Sequence, residues 1–136
     1  GLTPLSWCSI NGHLEIVKHL VSMKADIETK DNNGWTPLTW SSFKGHVEIV
    51  KYLVSMKANI ETKDNDGWTP LTWSSFKGHL EIVKHLVSMK ANIETKNNDG
   101  DTPLSLCSFK GHLEIVKYLV SMKADIEAKD NNGVCN

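Results

Sequence analysis

A period of 33 residues governs this chain. Gly34-Trp35-Thr36-Pro37-Leu38 returns as Gly67-Trp68-Thr69-Pro70-Leu71 and again as Gly100-Asp101-Thr102-Pro103-Leu104, and Gly1-Leu2-Thr3-Pro4-Leu5 precedes them. The units are therefore 1–33, 34–66, 67–99 and 100–132, with 133–136 the start of a fifth. The two middle units differ only at Val47/Leu80, Tyr52/His85 and Asp64/Asn97. A segment this short cannot bury a core by itself. A fixed period of this length predicts a solenoid, in which each unit buries its apolar face against its neighbours.

The residues within a unit predict two helices. Thr36 is a helix cap and Pro37 stands where the first turn tolerates proline. A short helix then runs to Gly45, a residue suited to the left-handed stop. A second helix begins near His46, with Val47, Ile49, Val50, Leu53 and Val54 on one face. Glu48 and Lys51 lie three apart on its polar side. After Met56, the cluster Asp64-Asn65-Asp66-Gly67 is turn chemistry. The unit reads as helix, tight turn, antiparallel helix and projecting turn. The fold class is all-α.

The period, the string Gly-x-Thr-Pro-Leu, the segment Gly45-His46-Val47-Glu48-Ile49-Val50-Lys51 and the later Ala58-Asn59 together resemble the ankyrin repeat, along the whole chain. The resemblance implies a curved α-solenoid of helix-turn-helix units joined by projecting β-turn loops. It also implies a scaffold that binds a protein on its concave face and does no chemistry. The chain departs from the family pattern at three places. Ser6, Thr39, Thr72 and Ser105 stand where the family carries His. Cys8-Ser9, Ser41-Ser42, Ser74-Ser75 and Cys107-Ser108 replace paired alanines, so their hydroxyls need partners. Lys24, Lys57, Lys90 and Lys123 replace a glycine. A lysine held left-handed there costs roughly 1 kcal/mol relative to glycine.

Composition excludes several functions. Lys+Arg 15 against Asp+Glu 16 gives a net charge of -1, and every basic residue is Lys. Neither the balance nor the lack of arginine suits nucleic acid, so none is expected. No apolar run approaches the ~18 residues of a membrane span, so no membrane is expected. The start Gly1-Leu2-Thr3-Pro4 lacks the features of a signal peptide and an initiator Met, which suggests a piece of a longer chain. Cys8, Cys107 and Cys135 are odd in number and form no Cys-x-x-Cys pair, so neither a disulfide framework nor a zinc site is expected. The setting expected is intracellular and cytoplasmic. Cys8 and Cys107 read as buried, inert thiols, and Cys135 as an exposed, oxidisable one.

Catalysis and metal binding find no constellation. His13, His46, His79 and His112 are one column of the repeat, and units stacked ~10 Å apart cannot bring them to the ~2 Å that zinc requires. They read as structural residues at the helix start. There is no G-x-S-x-G, no H-E-x-x-H and no glycine-rich phosphate loop. No enzyme activity, cofactor or metal is expected.

The candidate binding residues are those that vary on the turns and helix ends. Trp35 and Trp68 occupy the turn position between Gly and Thr, where unit 4 has Asp101. Phe43, Phe76 and Phe109 end the first helices, followed by Lys44, Lys77 and Lys110. Met56 and Met89 end the second helices, as does Met122. The resemblance places all of these on or beside the concave surface, and Trp, Phe and Met are enriched at interface cores. Trp40 and Trp73 are expected to pack between units. The partner expected is a protein. The near-identity of units 2 and 3 suits two other readings, a structural spacer in a longer array and an artificial or consensus-like array without a natural ligand. Units 1 and 4 carry the internal apolar pattern rather than polar caps, which predicts exposed ends and end-to-end self-association.

Overall fold

The computed structural model describes residues 1–133, and over them the chain forms eight helices. The first helices of the units are α1 (Pro4–Asn11), α3 (Pro37–Lys44), α5 (Pro70–Lys77) and α7 (Pro103–Lys110). The second are α2 (Leu14–Ser22), α4 (Val47–Ser55), α6 (Leu80–Ser88) and α8 (Leu113–Ser121). Cys135 lies outside the described residues.

The helix ends follow from local chemistry. Thr36 accepts the Thr39 amide at 3.2 Å, with Pro37 in the first turn of α3. The hydroxyls that stand in the family's His position close the cap from the other side: Thr69 N–H donates to Thr72 Oγ1 at 2.6 Å, and Thr102 N–H to Ser105 Oγ at 2.8 Å. Gly45 ends α3 at φ 85°. A Cβ at Gly45 would lie 2.7 Å from the His79 ring of the next unit, so both backbone and neighbour demand glycine. The second helices stop without glycine. Lys24, Lys57, Lys90 and Lys123 adopt the left-handed conformation instead, at φ from 71° to 76°.

First helices pack on first helices and second on second, and the first layer is the more closely packed. Its facing side chains are small: Ser41, Ser42, Ser74 and Ser75 are all buried. The first helices and the projecting turns form one side of the stack and the second helices the other. Ser41 and Ser74 hydroxyls donate back to the carbonyls of Pro37 and Pro70. The buried hydroxyls of Ser9, Ser42 and Ser75 have no partner. Between the layers lies the core, where Leu38, Ile49, Val50 and Leu53 of unit 2 meet their counterparts Leu71, Ile82, Val83 and Leu86. Each such side chain stabilises the fold by ~1.5–3 kcal/mol.

Every joint between units is pinned by the same polar bonds. His46 Nε2 bonds the Ile10 carbonyl at 2.8 Å, His79 the Phe43 carbonyl at 2.9 Å, and His112 the Phe76 carbonyl at 2.9 Å. The carbonyl can only accept, so Nε2 carries the proton. Glu28, Glu61 and Glu94 each accept a backbone N–H of the next unit at 2.8 Å, from Asn59, Asn92 and Asp125. Asn65, Asn98 and Asn131 donate to the carbonyls of Asn32, Asn65 and Asn98. His46, His79 and His112 are therefore structural.

Candidate functional site

The site is assembled from the projecting turn. Asp31 Oδ1 accepts the backbone N–H of Asn33 at 2.9 Å and of Trp35 at 3.0 Å, which closes the turn. Its other oxygen accepts the indole N–H of Trp40, on α3, at 2.9 Å. One carboxylate thus ties the turn to the helix and sets Trp35 against Trp40, ring centroids 4.3 Å apart. Asp64 repeats this, holding the amides of Asp66 and Trp68 and the indole of Trp73 at 2.9 Å. Trp68 and Trp73 stack at 4.0 Å.

These pairs join into one row. Phe43 meets Trp35 edge-on at 5.0 Å, and Phe76 meets Trp68 at 5.2 Å. Trp73 crosses the unit boundary and touches both Trp35, at 4.9 Å, and Phe43, at 5.1 Å. Trp73 touches both Trp35 and Trp68, so those two rings stand no more than about 9 Å apart. All of these rings are half-buried. Tilted and edge-on contacts of this kind contribute ~0.5–1.5 kcal/mol each beyond the area they bury. Lysine ammonium groups cap the row from the following unit, with Lys77 Nζ 4.9 Å from the Phe43 ring centre and Lys110 Nζ 5.1 Å from that of Phe76.

The remaining predicted residues stand apart from this row. Phe109 is 83% exposed and makes no ring contact among the described residues. Asp101 faces its own turn, where Asn97 Nδ2 reaches it at 3.4 Å. Lys44 follows Phe43, but unit 1 has Ile10 where a ring would receive its charge. Met56 and Met89 cap α4 and α6, in the other helix layer from the rings. The sequence reading missed that Trp40 and Trp73 belong to the row, and that Asp31 and Asp64 hold it. The signal lay in one fixed separation: an Asp nine residues before a Trp, kept across the first two unit boundaries as Asp31/Trp40 and Asp64/Trp73 and lost at both positions across the third, as Asn97 and Leu106.

The family model for ankyrin repeats (3 copies) matches residues 1–64 and again 57–130. The chain belongs to the ankyrin-repeat family. No curated protein matches it. Ankyrin repeats are generally protein–protein interaction modules. In this ankyrin chain the row lies on the turns and first helices. Burial pushes the Cys8 thiol up and the Cys107 thiol up to about 11, the reverse of what a nucleophile needs. Burial, helped by Lys51 and opposed by Glu48, lowers the titration of His85. Among the described residues no group of three or more His, Cys, Asp or Glu could hold a metal ion, and no helix is long and apolar enough to cross a membrane.

Proposed function

We propose that this ankyrin chain binds a protein partner along the aromatic row of its first-helix side, with Trp35, Phe43, Trp68 and Phe76 as the anchors and Lys77 and Lys110 beside them. The proposed contact reaches Lys44, Phe109, Met56, Met89 and Asp101, which stand apart from the row, only where the partner extends beyond it. The observation that carries this is the continuity of the row across a repeat boundary, through Trp73. A surface that repeats its anchors at about one helix spacing suits an extended segment with apolar residues at matching intervals. The lysines would favour carboxylates beside those residues and speed the encounter.

The test is a peptide-display selection against the whole chain, followed by titration of the selected peptides with tryptophan emission as the signal. Trp35→Ala combined with Trp68→Ala should weaken binding by ~2 kcal/mol or more while helical content stays unchanged. Lys77→Ala should mainly flatten the salt dependence. Equal binding by the double tryptophan variant would place the site elsewhere. Loss of helical content would make the rings structural and favour a spacer role.

A further inference from the structure

Four indoles stand in the aromatic row, and only two of their N–H groups are engaged: Trp40 donates to Asp31 and Trp73 to Asp64. The indole N–H groups of Trp35 and Trp68 have no partner among the described residues, and neither is sealed from solvent. Acceptors are the reverse case. Asp31 Oδ1 takes the backbone N–H groups of Asn33 and Trp35 and its Oδ2 takes the Trp40 indole. Asp64 divides its oxygens in the same way. The side chains of the row therefore offer a partner spare donors and apolar ring faces, but no unengaged oxygen.

The cations of the row are spare as well. Lys77 and Lys110 lie over the Phe43 and Phe76 rings, and among the described residues neither pairs with a carboxylate. Trp35, Phe43 and Lys77 thus form one station, and Trp68, Phe76 and Lys110 repeat it. The first helices pack side by side, α3 on α5, so a station recurs at the ~8–10 Å of packed helices. The ring contacts hold Trp35 and Trp68 to no more than about 9 Å. A β-strand returns to one face every ~6.6–6.8 Å and presents N–H groups that need acceptors. A polyproline II segment returns every third residue, after ~9.3 Å, and its carbonyls make no internal bonds. Where its residues are proline it has no N–H to satisfy. It fits the row in period and in hydrogen-bond capacity together.

On the reading that the row is the partner-binding surface, we infer that its occupant is a proline-rich, acidic segment in the polyproline II conformation. Every third residue is a proline seated against Trp35 or Trp68, and the neighbouring carbonyls accept the two spare indole N–H groups. Carboxylates between the prolines meet Lys77 and Lys110. Aromatic-lined surfaces take such segments because the ligand is ordered before it binds and loses little entropy on docking.

Titration of the whole chain with synthetic peptides, followed by tryptophan emission, tests this. A peptide of repeated Pro-Pro-Glu triplets should bind about tenfold or more tightly than one of repeated Thr-Val-Glu, which carries the same charge but prefers a strand. Trp35→Phe combined with Trp68→Phe keeps a ring at each station and removes the N–H. It should weaken Pro-Pro-Glu binding by about tenfold or more with helical content unchanged. Should that variant lose helix, Lys77→Gln with Lys110→Gln decides at exposed positions: it should weaken binding of the Pro-Pro-Glu peptide and leave that of a Pro-Pro-Gln peptide as it was. Equal affinity for the Pro-Pro-Glu and Thr-Val-Glu peptides overturns the inference. So does full affinity in a folded phenylalanine variant. The display selection separates this failure from failure of the row itself. Selected peptides that lack proline yet lose affinity with Trp35→Ala and Trp68→Ala leave the row as the site with a different occupant. Selected peptides that this variant binds as well as the wild type does remove the row and the inference together.

Discussion

Three columns of single residues show where this chain departs from the best local choice. Ser42 and Ser75 carry buried hydroxyls without partners, although the back-bonded Ser41 and Ser74 beside them are satisfied. An unsatisfied buried hydroxyl costs ~1–3 kcal/mol and alanine is the better helix former, so Ser42→Ala and Ser75→Ala should each raise stability by ~1 kcal/mol. Urea unfolding reads this, and a lowered midpoint would mean that the hydroxyl is bonded after all. Lys57 and Lys90 sit at φ 73° and 76°. Replacing either by glycine removes the Cβ strain but frees the unfolded chain, for a net gain of up to ~1 kcal/mol. His85 is the third case. Its Nε2 is buried without a partner, and burial holds its titration below the ordinary 6.5. The unfolded chain then binds a proton more readily than the folded one. This contribution to stability is present above pH 6.5 and is lost as the pH falls through that value and below. His85→Tyr, the residue of units 2 and 4 at this position, should reduce the acid loss of stability between pH 7 and 5. An identical pH profile for the two proteins would refute it.

At the scale of the element, the turn and the first helix form one device. Asp64 closes its turn with one oxygen and holds the Trp73 indole with the other. Asparagine can do the first task but offers an N–H₂ group to an indole donor, so Asp64→Asn should cost ~1–2 kcal/mol and shift the tryptophan emission. The third boundary carries both changes together, with Asn97 and Leu106 at the two matching positions and Asp101 in place of the turn tryptophan. Trp73→Leu should therefore be less damaging in the Asp64→Asn background than alone, and a double-mutant cycle with no coupling would deny the link. The helices, their caps and the left-handed lysines were legible in the sequence because they depend on neighbours within a few residues. The solenoid was legible because the period states which surfaces must meet. The row was only half legible. Trp35 and Phe43 announced themselves as variable aromatics. That Trp40 and Trp73 lie against them depends on how the turn folds back on the helix, which a carboxylate nine residues upstream decides. The position of Met56 and Met89 in the other layer likewise depends on the path of the chain between units, not on residue type.

Across the whole molecule, burial is unequal in a way that the near-identical units do not suggest. α4 and α6 each bury four side chains, α8 buries Ile115 and Leu119, and α2 buries Val17 alone. The sequences of these helices barely differ, so the difference comes from position: α4 and α6 have a unit on both sides. In a chain whose stability is a sum of unit and joint terms, an end unit holds one joint and a middle unit holds two. Local opening should therefore be cheapest in unit 1, next in unit 4 and dearest in units 2 and 3. Amide hydrogen exchange on dilute protein should follow that order, with the amides of α2 exchanging first among the second helices. Uniform protection along the chain would mean that the stack opens only as a whole.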